Sequence, residues 1–274
     1  MAKRRNFFMI NDFRLDGCTV CITGATGHLG SSLVRGCADA GAKVVITARN
    51  THRLAEFCST LKAEAIDVEA IPCDISDPHQ RELFANKLLS RIDRLDVLIN
   101  NAHGGRAGCW SQSDEEDFTL AQSLAITAPH DLIKRLLPIL QKGANCRYGG
   151  ASIVNISSMY GSVSPDPAIY GDSGLNSPPQ YGAAKAGMIQ LTRYLAVHLA
   201  SSNIRVNAIT PGPFPTKQIQ EEMPKFCERL AQKVPLKRLG NPQELVGPAL
   251  FLASDASSFV SGISLPVDGG WTAW

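Results

Sequence analysis

Short apolar, β-branched runs alternate with longer segments of helical spacing along almost all of the 274 residues. Seven runs predict strands, at 18–23, 43–48, 68–73, 95–100, 152–157, 205–209 and 263–267, each short and bounded by glycine, proline or polar residues. Between them, 29–40, 53–63, 78–91, 115–141, 181–200 and 242–253 repeat apolar residues every three or four positions, as amphipathic helices do. Such alternation predicts an α/β fold: a doubly wound, parallel, seven-stranded sheet with helices on both faces. We expect one domain over 13–274, with an arm at 1–12 and a C-terminal tail at 268–274. The segment 162–180 breaks the pattern. Pro165, Pro167, Pro178 and Pro179 exclude long regular structure there, and so long a loop in a compact domain predicts a lid or substrate loop.

Composition acts mainly by exclusion. With 44% hydrophobic and 19% charged residues the chain reads as an ordinary globular domain, and a net charge of +2 offers no general attraction for nucleic acid or an anionic membrane. Lys3-Arg4-Arg5 reads as a solvated arm, and Phe7-Phe8-Met9-Ile10 is too short for a secretion signal. No uncharged apolar stretch is long enough for a membrane span, so a cytoplasmic location is expected. Cys18 and Cys21 form a C-x-x-C, but within a strand they point to opposite faces and no second ligand pair accompanies them. Reduced cysteines and no metal site are expected.

The first predicted strand runs straight into Thr23-Gly24-Ala25-Thr26-Gly27-His28-Leu29-Gly30, after which a helix begins. Glycines let the backbone turn sharply and approach a pyrophosphate, and the first free N–H groups of the helix face its charge. The second strand ends in Thr47-Ala48-Arg49-Asn50. An NAD site would place a carboxylate there for the ribose 2′-hydroxyl, whereas Arg49, with Arg53 beyond it, suits a 2′-phosphate. NADP is therefore expected over NAD. After the third strand come Asp74 and Ile75; Asp74 either accepts from an adenine amino group or belongs to the turn before Pro78. After the fourth, Asn100-Asn101-Ala102 either lines the crevice or bridges adjacent strand ends.

Tyr181 and Lys185 fall one turn apart on one helix face, and Ser157-Ser158 closes the preceding strand. A free phenol has a pKa near ~10, too high for a base at neutral pH, and a fixed ammonium beside it favours the phenolate. Lys185 is also placed to hold nicotinamide-ribose hydroxyls. Ser158 would bond the oxygen of a substrate carbonyl or alcohol.

The ordered set of Thr23–Gly30, Asn100-Asn101-Ala102, Val154-Asn155-Ile156-Ser157-Ser158, Tyr181-x-x-x-Lys185, Ile204-Arg205-Val206-Asn207-x-x-x-Pro211-Gly212 and Val267-Asp268-Gly269-Gly270 resembles the short-chain dehydrogenase/reductase family, from about Phe13 to Gly270. The resemblance implies a Rossmann fold, hydride transfer to or from a nicotinamide, and Ser158, Tyr181 and Lys185 as catalytic residues. It implies cofactor contacts from Pro211 and Gly212, with Thr216 near the carboxamide or pyrophosphate. It further implies a homo-oligomer, a tetramer or dimer, paired through 115–141 and 181–200. The chain departs from the pattern at three places. His28 stands where glycine is usual, giving a spacing like that of the extended branch of the family. His103 follows Ala102 where another glycine is usual, and would contact the cofactor ribose. Ala125 replaces an asparagine that supports proton relay to the lysine; Gln122, one turn away, is the one substitute on that face.

Ser158 and Tyr181 are 23 residues apart, a longer interval than the resemblance implies. The insertion carries Asp166, Tyr170, Asp172, Ser173 and Asn176, which suits a hydroxyl-rich ligand. The surrounding pattern resembles short-chain dehydrogenases of bacterial surface-glycan and sialic-acid-like sugar modification. Lys217, Lys225, Arg229 and Lys233 either attract a phosphate on such a substrate or form a solvated helix face. Trp271 and Trp274 either close a pocket or pack a subunit interface. The expected activity is NADP(H)-dependent interconversion of a secondary alcohol and a ketone on a polar, sugar-like small molecule. The alternatives are an epimerase or dehydratase that retains its cofactor, and a weakly catalytic cofactor-binding homologue.

Overall fold

The computed structural model describes residues 10–106, 108–173 and 176–274. Lys3-Arg4-Arg5, Phe7-Phe8-Met9 and most of the expected arm lie outside the described residues. Strands β1 Thr19–Thr23, β2 Lys43–Thr47, β3 Val68–Ala70, β4 Val97–Asn100, β5 Ala151–Ile156, β6 Ile204–Pro211 and β7 Ser264–Val267 form one sheet in the order β3-β2-β1-β4-β5-β6-β7. Every pairing is parallel. The strand order reverses between β1 and β4, and such a switch point opens a crevice at the carboxyl ends of the strands.

The helices are α1 His28–Asp39, α2 Thr51–Ala63, α3 Pro78–Arg91, α4 Glu115–Gln122, α5 Ala128–Cys146, α6 Pro179–His198, α7 Lys217–Glu222, α8 Pro224–Lys233 and α9 Val246–Ala253. Period-two alternation sorts the strand side chains between two cores. Val20, Ile22, Val44 and Ile46 join Leu33 of α1, Leu54 of α2 and Leu252 of α9 on one face. Cys21, Val45 and Leu98 join Leu88 of α3, Leu132 of α5 and Leu195 of α6 on the other. Among the described residues no helix is long and apolar enough to cross a membrane. All eight cysteines are free thiols, and no cluster of metal-ligating side chains occurs among the described residues.

Two segments differ from the sequence expectation. The helix predicted over 115–141 is interrupted by a π-turn, Ser123–Thr127, in which the Ala128 N–H reaches back to the Ser123 carbonyl. Pro129 follows directly and has no N–H for the Ala125 carbonyl, so the ordinary helical ladder cannot continue there. The insertion 162–180 is also no free lid. It forms short turns at Pro167–Ile169 and Gly171–Ser173 and is fastened to α8. Ile169 and Tyr170 pack with Leu230, Val234 and the buried Trp271, Arg229 Nε donates to the Ile169 carbonyl at 2.6 Å, and Lys233 Nζ pairs with Asp166 at 2.6 Å. Prolines preset the backbone for such turns, and apolar side chains between them need a surface to cover.

Helix α5 reaches the sheet through Gly143: a methyl group there would strike the Leu95 carbonyl. Gly143→Ala is therefore expected to lower the unfolding free energy by about 1–3 kcal/mol, the usual range for overpacking, read as a reduced midpoint in denaturant at unchanged slope.

Candidate active site

The switch-point crevice begins at the glycine turn. Gly24 sits at φ +65, and a Cβ on it would lie 2.6 Å from the Ala102 Cα; one on Gly30 would strike the Gly24 carbonyl. Bare backbone is thus what lets β1, α1 and the end of β4 meet. Asn101 Nδ2 donates to the Thr23 and Gly24 carbonyls, each at 3.0 Å, while Thr23 Oγ1 accepts from the Asn101 and Ala102 N–H groups at 3.0 Å. The N-cap of α1, Gly27, brings no capping side chain, which leaves the first N–H groups facing the crevice.

That crevice holds about 370 Å³ and runs from Arg49 and Arg53 at one end, past Gly24, Thr26, Gly27, His28, Leu29 and Gly30, to Tyr181 and Lys185 at the other. Arg49 projects into solvent with 71% of its side chain exposed, 3.9 Å from Asp74 Oδ2. The other Asp74 oxygen accepts from the Ser76 backbone at 2.9 Å and its hydroxyl at 2.7 Å, so this carboxylate also shapes the turn before Pro78. Ile75 and Ala102 complete the wall.

At the inner end, α6 is docked on β5. Lys185 is 4% exposed; its Nζ donates to the Ile156 carbonyl at 2.7 Å, and its own carbonyl accepts from Ser157 Oγ at 2.8 Å. Burial pushes the ammonium pKa from 10.5 down to about 8. Lys185 Nζ lies 5.8 Å from the centroid of the Tyr181 ring. Desolvation raises the Tyr181 pKa, and the Ser158 hydroxyl opposes that rise. Burial thus holds the phenol above its ordinary value, where the sequence reading expects Lys185 to bring it down. His103 packs edge-on against Tyr181, ring centroids 5.0 Å apart. Its outer edge reaches solvent, yet the imidazole sits among enough protein that desolvation, with the Lys185 charge second, depresses its pKa to about 4.

Several expected residues stand off the crevice wall. Thr23 is fully buried beneath the glycine turn. Asn100 bridges strand ends, its Nδ2 donating to Asn155 Oδ1 at 2.8 Å, and Asn155 in turn reaches Thr192 of α6 at 2.9 Å. It is Asn101 that faces the nucleotide end. Pro211 closes β6, Gly212 packs against Asp268, and Thr216 caps α7 through the Ile219 N–H. Ser158 is 5% exposed and accepts from the Tyr160 N–H at 3.1 Å. Gly104 and Leu124 also line the crevice without having been singled out by the sequence, as do Asn50, Ile156 and Ser157, which stood in its motifs with no cofactor role given. For Asn101 a signal was available: residue 100 still belongs to the strand, so its side chain is sheet-bound and the next one is free.

Known proteins agree with this architecture. The family model described as enoyl-(acyl carrier protein) reductase matches residues 24–272. The 3-oxoacyl-[acyl-carrier-protein] reductase FabG of Thermotoga maritima is 33% identical over 260 residues, covering 94% of this chain and 98% of that protein. Among solved structures, the Pseudomonas aeruginosa RhlG/NADP active-site complex superposes with a TM-score of 0.86 at 30% identity, over 96% of this chain and 99% of that one. A gluconate 5-dehydrogenase from Burkholderia cenocepacia, in complex with NADP and tartrate, gives 0.84 at 27% identity, over 96% and 98%. The chain belongs to the short-chain dehydrogenase/reductase family and is an oxidoreductase with a Rossmann fold. The glycine cradle, the unpaired helix N-terminus and the exposed guanidinium of Arg49, 3.9 Å from Asp74, have the form that a dinucleotide with a 2′-phosphate would need.

The Lys185 shift has a measurable sign. Between about pH 8 and 10.5 the unfolded chain holds the proton that the folded chain has lost, so stability rises with pH across this window. Relative to Lys185→Met, the cofactor-free protein is expected to gain up to about 3 kcal/mol between pH 8 and 10.5. Denaturation of both proteins at the two pH values checks it; a constant difference would mean that the amine is not buried as described.

Proposed function

We propose that this chain interconverts a secondary alcohol and a ketone on a polar, sugar-like small molecule, using NADP(H). One observation carries the reading: Tyr181, Lys185 and His103 line the inner end of the crevice whose outer end presents Arg49, with Ser158 buried beside Tyr181 behind that wall. NADPH, when bound, supplies a hydride. Gly24, Gly27 and Gly30 would admit its pyrophosphate, Arg49 and Arg53 its 2′-phosphate, and Lys185 its nicotinamide ribose. Ser158 holds the substrate oxygen by a hydrogen bond, and Tyr181 gives that oxygen a proton in reduction or removes one in oxidation. The Lys185 ammonium stabilises the phenolate left behind.

Support for a polar substrate comes from the hydroxyl-bearing wall around Tyr181 and from the gluconate 5-dehydrogenase likeness. Burial, with the neighbouring phenols of Tyr170 and Tyr181, raises the Tyr160 pKa. The insertion's carboxylate and side-chain amide contribute less than its composition suggests, since Asp166 is paired with Lys233 and Asn176 accepts from the Ser177 N–H. Arg229 and Lys233 are likewise engaged with the insertion. We further infer a homo-oligomer, supported by the exposed Tyr194 and Val197 on α6.

Tyr181→Phe is expected to lower kcat by about 10²–10⁴-fold toward a panel of ketoses and polyols, with NADPH binding retained. Arg49→Asp is expected to shift the ratio of Michaelis constants toward NAD. Unchanged turnover in the first variant, or an unchanged ratio in the second, contradicts the corresponding assignment.

A further inference from the structure

Each reduction that takes a proton from Tyr181 leaves a phenolate, which must be reprotonated from solvent before the next. The surroundings of Tyr181 restrict how. Lys185 is buried and its Nζ is turned to the Ile156 carbonyl. Ser158 is buried too and accepts from the Tyr160 N–H. Beneath the ring lies a void of about 10 Å³, at the lower bound for a single water. Its apolar walls include Ala121, Leu124, Ala125 and Ala184, whose side chains can neither donate nor accept a proton. The ionisable groups on it are Tyr181, Lys185 and His103; Lys185 is buried, Tyr181 is partly exposed where it lines the crevice, and His103 is the exposed one. A nucleotide filling the crevice closes the remaining approach from that side.

We propose that His103 is the proton-relay residue through which Tyr181 exchanges protons with solvent, a proposal that rests on Tyr181 being the proton donor. The ring is held against Tyr181 from both ends of its loop. Arg106, three residues on, bonds Asp117 of α4 at 2.6 Å, and Ser113 Oγ donates at 2.8 Å to Gln180, the residue before Tyr181. Gly104 and Gly105 follow His103 directly; a Cβ on Gly104 would lie 3.1 Å from Leu124, while one on Gly105 would meet nothing within 4 Å. With its pKa depressed to about 4, the ring is neutral at physiological pH and keeps one N–H donor and one lone pair. In the relay step the imidazole N–H bond breaks as the Tyr181 O–H bond forms, directly or through one water in the void. The other ring nitrogen takes a proton from solvent, and exchange of the ring protons with solvent then restores the starting tautomer. One proton passes inward and no charge accumulates. In the oxidative direction the same path runs outward.

The test uses full-length His103→Ala, His103→Gln and Tyr181→Phe with NADPH and whichever panel carbonyl the wild type reduces. His103→Ala is expected to lower kcat by at least about tenfold, the low side of proton-transfer effects. NADPH affinity, read by cofactor fluorescence without substrate, sets a saturating cofactor concentration for each variant, and imidazole added to the buffer restores the rate in proportion to its concentration. His103→Gln, which keeps a donor and an acceptor but cannot pass a proton between them, stays slow and is not corrected by its own side chain. Wild-type kcat in His103→Ala, recovery in His103→Gln, or a loss that imidazole does not repair each overturns the relay. Turnover by Tyr181→Phe at the wild-type rate would instead remove the reading on which the relay rests.

Discussion

Lys185 donates to the carbonyl of Ile156 while its own carbonyl accepts from Ser157, and this reciprocal pair ties the middle of the site together. It fixes α6 against the end of β5 over a distance too short for side-chain padding; a Cβ on Gly161 would lie 2.9 Å from the Lys185 carbonyl carbon. The consequence is an ammonium taken out of water beside a phenol, at the one place where the strand order reverses. Burying a charge is costly, and the depressed pKa of Lys185 is the sign of that cost. The arrangement persists because α6 is also anchored elsewhere, through Thr192 to Asn155 and through its apolar face to Leu195 and its neighbours.

The nucleotide end is built on a different economy of atoms, in which backbone approaches backbone. Gly24 and Gly30 tolerate no side chain, and Asn101 fills the hydrogen-bonding capacity of the turn they create. Charge is then added at the rim: Arg49 stands largely free, so its guanidinium can meet an anion with little prior desolvation. The two ends differ in what a mutation would disturb. Changes at the glycine turn act by steric exclusion, whereas changes at Lys185 alter both a buried charge and the bond that holds α6 on β5.

Much of this was legible in the sequence. Alternation of short strands and amphipathic helices specified the doubly wound sheet, because each strand had to be buried on both faces and each helix on one. The glycine turn and Arg49, and Tyr181 and Lys185, four residues apart, are brought to one crevice. What composition could not convey was pairing. Asp166 and Lys233 both look like ligand-facing charges until the fold sets them 2.6 Å apart, and Trp271 looks ambiguous until Tyr170 and Leu230 cover it. The π-turn escaped because a proline effect on one missing hydrogen bond does not alter apolar periodicity. The direction of the Tyr181 shift escaped because burial is a property of the assembled site, not of the residues four positions away.

The central claim is that one crevice positions an NADP nicotinamide against a phenol flanked by a buried amine. A crystal structure of the protein with NADP bound tests it most directly. The account predicts the 2′-phosphate on Arg49 and the nicotinamide at the end where Tyr181, Lys185 and Ser158 meet. A dinucleotide seated elsewhere, or a Tyr181 hydroxyl turned out of the crevice in that complex, would contradict it.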